Sequence, residues 1–204
     1  MPVSQTVFVV DDDANLRDSV CALVSSMGWP CKVFASAEEF LAGYVAGERG
    51  VLVVDLRMPG MSGLDLQAEL ARRGWHLPVI ILTAYARTAT TVRAMQAGAV
   101  TMIDKPYYDD DLWDAIRTAI DKEEAIWRAS RRHREILDRI ATLTPEERRV
   151  AQLLVEGKQN KAIAQQMGIA VRTVEKRRHD VLAKMHADSL ADLVRLFLEA
   201  PIEH

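Results

Sequence analysis

Three short runs, Val7-Phe8-Val9-Val10, Val51-Leu52-Val53-Val54 and Val79-Ile80-Ile81-Leu82, are apolar at every position. Side chains on a strand point alternately to its two faces, so a run without alternation is a strand buried on both sides. A parallel sheet covered by helices on each face is the arrangement that buries strands this way. Thr6–Val10, Cys31–Phe34, Val51–Val54, Pro78–Leu82 and Val100–Ile103 are the five expected strands. Amphipathic stretches lie between them. Leu16, Val20, Leu23 and Val24 form one apolar stripe, and Phe40 with Leu41 marks a second. Leu64, Leu66, Leu70 and Ala71 mark a third; Val92, Met95 and Ala99, closed by Gly98, make a fourth.

Strand and helix alternate five times, which predicts an α/β, flavodoxin-like (βα)5 domain with right-handed crossovers. The pattern then changes. No glycine or proline occurs from Tyr107 to Thr144, and Leu112, Ile116, Ile120, Trp127, Leu137 and Ile140 recur at near-helical spacing. One long helix from about Asp110 to Ala141 is expected. Either it is continuous or it breaks near Ala125–Ser130. Arg128, Arg131, Arg132, His133 and Arg134 form its polar face, which reads as a solvated surface or as an auxiliary phosphate-contacting patch. The last sixty or so residues are helical throughout. Thr144-Pro145-Glu146-Glu147 supplies a capping threonine, a first-turn proline and glutamates at the positive end of the helix dipole. Gly157 can end that helix. Asn160–Met167, about Val171–Met185 and a helix capped by Ser189 follow, making an all-α four-helix domain. The expected division is 1–121, a helical linker at 122–142, and 143–204.

Charge separates along the chain. Residues 1–118 hold 15 acidic and 10 basic residues, whereas 144–186 hold 5 and 9. The acidic half suits a cation site and the basic stretch an anionic partner. No run approaches the length a membrane-spanning helix needs, and no secretory signal opens the sequence, so a cytoplasmic protein is expected. Cys21 and Cys31 then read as reduced core residues.

Asp11, Asp12 and Asp13 follow the first strand, Asp55 ends the third, Thr83 ends the fourth and Lys105 ends the fifth. Parallel strands bring these groups to one edge, where open α/β folds bind ligands. Crowded carboxylates repel unless a cation sits among them, and Mg2+, a hard ion with oxygen ligands, suits the set. Such a site can hold a phosphoryl group. Asp55 attacks as nucleophile, Mg2+ and Lys105 neutralise the transferred charge, and Thr83 hydrogen-bonds a phosphate oxygen. Two competing readings exist. An aspartate after a strand can simply cap the next helix, which is the plainer reading of Asp12 or Asp13 taken alone. Asp11-Asp12-Asp13 also matches the start of haloacid-dehalogenase-type phosphatases, with Asp11 as nucleophile and Asp13 as general acid; that family usually needs cap insertions, which the helical C-terminus does not offer.

The segments Val9-Val10-Asp11-Asp12-Asp13, Val53-Val54-Asp55-Leu56-Arg57-Met58-Pro59-Gly60-Met61-Ser62-Gly63, Leu82-Thr83-Ala84, Ala97-Gly98-Ala99 and Asp104-Lys105-Pro106 resemble the receiver domains of two-component response regulators. The resemblance covers residues 5 to about 120. It implies that Asp55 is the phosphoacceptor, that Asp12, Asp55 and the Arg57 backbone carbonyl ligate Mg2+, and that Asp11 acts through water. It places Met102 where the family carries an aromatic switch residue, and Arg57 and Tyr85 where the family tunes phosphate lifetime.

The stretch from Leu143 to Met185, with Thr144-Pro145-Glu146-Glu147-Arg148, Lys161-Ala162-Ile163-Ala164, Met167-Gly168-Ile169 and Arg172-Thr173-Val174-Glu175, is similar to the LuxR-type helix-turn-helix of NarL/FixJ regulators, and to the FixJ branch above all. Ile163, Ala164, Met167, Ile169, Val174, Val181, Leu182 and Met185 form the apolar seam of such a domain. By family position Glu175, Lys176 and His179 face base edges in the major groove. Lys158, Asn160, Lys161, Thr173, Arg177, Arg178 and Lys184 are candidates for phosphate contacts. Arg177 replaces a histidine common in the family, and Ala170-Val171 a capping Ser-Pro. Without the resemblance, a plain helical interaction module with a solvated basic face would compete; an RNA-binding surface is disfavoured by the lack of a stacking platform. The family implies a transcription factor rather than an enzyme. Its partners are a sensor histidine kinase, double-stranded DNA, a second copy of the chain on phosphorylation, and RNA polymerase.

Overall fold

The structure, a computed structural model, describes residues 5–84 and 88–200. The chain divides into two compact units, Met1–Trp127 and Arg128–His204. In the first, five strands form one parallel sheet: β1 (Thr6–Val10), β2 (Cys31–Phe34), β3 (Gly50–Asp55), β4 (Val79–Thr83) and β5 (Thr101–Asp104). Their order is β2-β1-β3-β4-β5, the flavodoxin-like doubly wound order. The helices between them are α1 (Ala14–Ser26), α2 (Ala37–Gly43), α3 (Gly63–Arg72) and α4 (Thr88–Gln96). A single unbroken helix, α5 (Asp109–Ala141), follows.

The missing alternation in the strands has a direct cause. Phe8, Val10, Leu52, Val54, Val79 and Ile81 pack with α2, α3 and α4 on one face of the sheet. Val7, Val9, Val51, Val53, Ile80 and Leu82 pack with α1 and α5 on the other. All five residues of β1 and all six of β3 are buried. Gly50 opens β3 because nothing larger fits. A Cβ there would stand 2.0 Å from the Thr6 carbonyl oxygen.

Helix faces depart from the sequence reading in three places. On α4 the buried residue is Ala94, while Val92 and Met95 are 47% and 45% exposed. Ala94 packs with Val79 and Ile81 of β4, and the longer apolar side chains turn outward. On α5 the second buried stretch is carried by Ile136 and Ile140, and Leu137 points outward. Ala71 at the end of α3 is exposed as well. Lys105 lies one residue beyond β5, which ends at Asp104. Cys21 and Cys31 are joined as a disulfide with Cα atoms 5.7 Å apart, which overturns the expectation of two reduced residues. Their spacing in the sequence does not reveal the pairing; the packing of α1 beside β2 creates it.

The second unit takes in α5 from Arg128 onward, then α6 (Pro145–Val155), α7 (Asn160–Met167), α8 (Val171–Met185) and α9 (Leu190–Glu199). Ile136, Ile140, Val150, Leu153, Leu154, Ile163, Val174, Val181, Met185, Leu193 and Phe197 form its core. The whole expected apolar seam lies in that core or packs against it. Thr144 and Glu147 form a reciprocal capping box at the start of α6. Gly168 ends α7 in the left-handed region, φ 66°. Ala170 occupies the N-cap of α8 with extended backbone, φ −68° and ψ 146°, and offers no side-chain hydrogen bond. Ala170→Ser is therefore expected to stabilise the second unit by about 1 kcal/mol. Slower amide exchange in the α6 and α8 core, measured on the full chain, checks this; unchanged exchange contradicts it.

Candidate phosphoacceptor site and nucleic-acid interface

The parallel register carries β1 and β3 to the same edge, ending on Asp11 just past Val10 and on Asp55. Lys105 follows β5, and its backbone N–H donates to the Thr83 carbonyl at 2.7 Å. Its ammonium group donates to Asp11 Oδ2 at 2.8 Å and to Asp55 Oδ1 at 2.5 Å. The Asp11 Oδ1 accepts from the Asp13 backbone N–H at 2.9 Å, and Asp55 Oδ2 accepts from that of Arg57 at 2.5 Å. Asp11 is 1% exposed, Asp55 7% and Thr83 1%. Two carboxylates with one ammonium leave this pocket formally anionic. Burial pushes the Asp55 carboxyl above the ordinary carboxylate range; the hydrogen bond and charge of Lys105 oppose that rise without cancelling it. Burial likewise pulls the Lys105 ammonium down, and its two carboxylates outweigh burial, so it ends above the ordinary lysine range.

Not every expected residue joins this pair. Asp12 is exposed, and among the described residues no group of three or more Asp, Glu, His or Cys side chains is gathered to hold a metal ion. Asp13 caps α1, its Oδ1 accepting from the Asn15 N–H. Met102 is half-buried in β5 and packs against the cluster on the α4 face; the Thr91 hydroxyl lies 3.4 Å from its sulfur. Tyr85 lies outside the described residues. Two supports escaped the sequence reading. Arg17 on α1 donates to the Asp11 carbonyl at 2.6 Å, and Glu38 on α2 accepts from the Met61 backbone N–H at 2.9 Å in the loop after β3. Neither residue type nor spacing distinguishes them from ordinary surface charges.

On α8 the buried residues are Val174, Val181 and Met185. Arg172, Glu175, Lys176 and His179 are exposed, while Thr173, Arg177 and Arg178 are half-buried at the flanks. Lys161 is exposed and Asn160 half-buried at the start of α7. Two expected phosphate-contacting lysines are engaged inside the unit. Lys158 donates to Gln166 at 2.9 Å. Lys184 donates to Glu147 Oε2 at 2.6 Å, the same oxygen that accepts from the Thr144 backbone N–H. That hydrogen bond to Lys184 holds the Glu147 carboxyl below the usual range.

Comparison with known proteins agrees with this geometry. Residues 7–117 match the family described as the response regulator receiver domain. The chain belongs to the response-regulator family. In this regulator residues 141–197 match a second family, described as bacterial regulatory proteins of the luxR family. FixJ, a transcriptional regulatory protein of Azorhizobium caulinodans, is 41% identical over 202 residues, spanning 99% of this chain and 96% of that one. Nodulation protein W of Bradyrhizobium diazoefficiens is 40% identical over 190 residues, 93% of this chain and 84% of that one. Among solved structures, the response regulator StyR superposes with a TM-score of 0.86 at 37% identity, covering 96% of this chain and 99% of that one. Full-length FixJ from B. japonicum gives 0.57 at 36% identity, covering 98% of each. The regulator thus combines a receiver with a LuxR-type DNA-binding domain, the architecture of a transcription regulator. No helix among the described residues is long and apolar enough to cross a membrane.

Proposed function

We propose that the regulator is switched by phosphorylation of Asp55 and that phosphorylation controls its binding to double-stranded DNA. The observation that carries this reading is Lys105 shared between Asp11 and Asp55 at the strand ends. An Asp55 carboxylate oxygen attacks the phosphorus of a phosphohistidine on a sensor kinase, or of a small acyl phosphate; the bond from phosphorus to the donor breaks and an acyl phosphate forms. Lys105 then pairs with the transferred phosphoryl oxygens, and Thr83 hydrogen-bonds one of them. The donor set is all oxygen, three carboxylates and one backbone carbonyl, which fits a hard divalent ion. Asp11, Asp12, Asp55 and the Arg57 carbonyl would hold Mg2+, which supplies further charge neutralisation when bound. The chain acts here as a phosphoprotein in the cytoplasm rather than as an enzyme with a turnover substrate.

Residues 1–121 form the input, 122–142 the connection and 143–204 the output. Exposed Glu175, Lys176 and His179 on α8 read base edges. Thr173, Arg177, Arg178, Asn160 and Lys161 contact phosphates, whereas Lys158 and Lys184 serve the domain's own structure first. Phosphorylation favours a homodimer that places two recognition helices on adjacent half-sites, where RNA polymerase is the further partner.

The test measures sedimentation and DNA binding of the full chain with and without acetyl phosphate and Mg2+. The probe is a duplex that the phosphorylated parent selects from a random-sequence pool. Phosphorylation is expected to tighten binding about tenfold, and Asp55→Asn to lose that gain while keeping the unphosphorylated affinity. An Asp55→Asn chain that still responds to the phosphodonor refutes this switch.

A further inference from the structure

At the sheet end away from Asp55, side chains from three separate stretches converge. Gln5 precedes β1, Arg49 precedes β3, and Glu123 and Trp127 lie on α5. Glu123 is 5% exposed, a buried carboxylate with no part in the phosphoacceptor chemistry. Its Oε2 accepts from Gln5 Nε2 at 2.6 Å and from Arg49 Nη2 at 2.7 Å, and its Oε1 accepts from Arg49 Nε at 2.9 Å. The same guanidinium lies over the Trp127 ring, 4.1 Å from its centroid. Arg49 is itself fixed to the sheet: its carbonyl accepts from the Thr6 N–H at 3.0 Å, next to Gly50, where β1 and β3 approach too closely for a Cβ.

A fork of two parallel bonds, closed on one side by an indole, sets direction as well as distance. A point charge on a flexible stem does not. Buried ion pairs contribute little net stability over apolar packing of the same volume, so this geometry is better suited to fixing an arrangement than to holding the fold together. What it fixes is the rotation of α5 about its own axis, just past the stretch that matches the receiver family and before the chain passes into the second unit.

We propose that Arg49 is a positioning residue for signal output: by gripping Glu123 and Trp127 it couples the receiver sheet to the outgoing part of α5, so that rearrangement of the phosphorylated sheet is passed along that helix. This rests on the phosphorylation-dependent DNA binding proposed above. Lysine at position 49 keeps the charge and loses the fork; Glu123→Gln keeps the shape and loses the charge.

The experiment compares the full-length parent, Arg49→Lys and Glu123→Gln in three measurements. Phosphorylation of Asp55 by acetyl phosphate with Mg2+ is followed on phosphate-affinity gels and is expected to stay within about two-fold of the parent. Amide exchange over residues 119–130 is expected to quicken roughly tenfold while β1 and β3 keep their protection. The phosphate-dependent gain in affinity for the selected duplex is expected to fall from about tenfold to less than about two-fold. If both variants keep the parent's gain, Arg49 does not position the output. Unchanged exchange at 119–130 overturns the clamp on its own, whatever the DNA result. A parent that itself shows no gain refutes the switch, and the coupling role with it. Should either variant lose protection across the whole sheet, the apolar pair Arg49→Met with Glu123→Leu restores packing without the fork; a full gain in that folded chain also overturns the proposal.

Discussion

Lys105→Met is expected to slow formation of the Asp55 acyl phosphate by roughly 10²–10³-fold. Methionine keeps the apolar stem and removes only the ammonium group. That group is the cation shared by Asp11 and Asp55. Without it two effects act in the same direction. The phosphoryl group entering the pocket loses a partner for its developing charge. The rise that burial imposes on the Asp55 carboxyl is then opposed only by the Arg57 N–H, so that carboxyl is protonated for more of the time. A carboxyl raised by folding binds its proton more tightly in the native state, so that contribution favours the fold as pH falls and is lost as pH rises through the raised value. The variant should therefore lose less stability than the parent on acidification. Initial rates with acetyl phosphate and Mg2+, read on phosphate-affinity gels, check the main effect; a rate within about threefold of the parent contradicts the role given to Lys105.

Gly63→Ala is expected to lower the same rate about 100-fold, although residue 63 carries no chemistry. Gly63 opens α3, and a Cβ there would lie 2.5 Å from the Asp55 carbonyl oxygen and 3.3 Å from the Leu56 Cα. Both neighbours are backbone and neither can rotate away. Leu56 is further held by its N–H on the Leu82 carbonyl and by its own carbonyl on the Gly63 N–H. The end of β3 and the start of α3 must part by a good fraction of an ångström, and where β3 yields, a nucleophile misplaced by about 1 Å loses roughly two orders of magnitude. Asp55 remains present and charged, so the loss is positional. Normal phosphorylation in Gly63→Ala would mean that the strand end tolerates the displacement.

The fold was largely legible because burial on both faces of a sheet removes alternation, and the shortness and β-branched content of these runs separate them from buried helix segments. The order of the carboxylates was legible for a related reason: a parallel sheet sends every strand end to one edge, so Asp11, Asp55, Thr83 and Lys105 could be grouped from sequence alone. Side-chain facing was less legible. Val92 and Met95 have helical spacing, yet the buried residue of α4 is Ala94. Ile136 and Leu137 are adjacent and equally apolar, and helical phase across a 33-residue helix drifts enough to select the wrong one. Contacts between distant segments away from that strand-end edge were not legible. Arg49 and Glu123 are 74 positions apart, and each alone reads as a surface charge. The same holds for the joined sulfurs of Cys21 and Cys31.

Glu147 sits where two jobs meet. One of its carboxylate oxygens closes the first turn of α6 through the Thr144 N–H and also anchors Lys184 in the last turn of α8. The helix proposed above to read base edges is thus moored at its far end to the opening turn of a neighbour. Any tilt of that helix drags on the oxygen that starts α6. A single acidic side chain thus ties the C-terminal turn of that helix to its neighbour, beside the core contacts of Val174, Val181 and Met185.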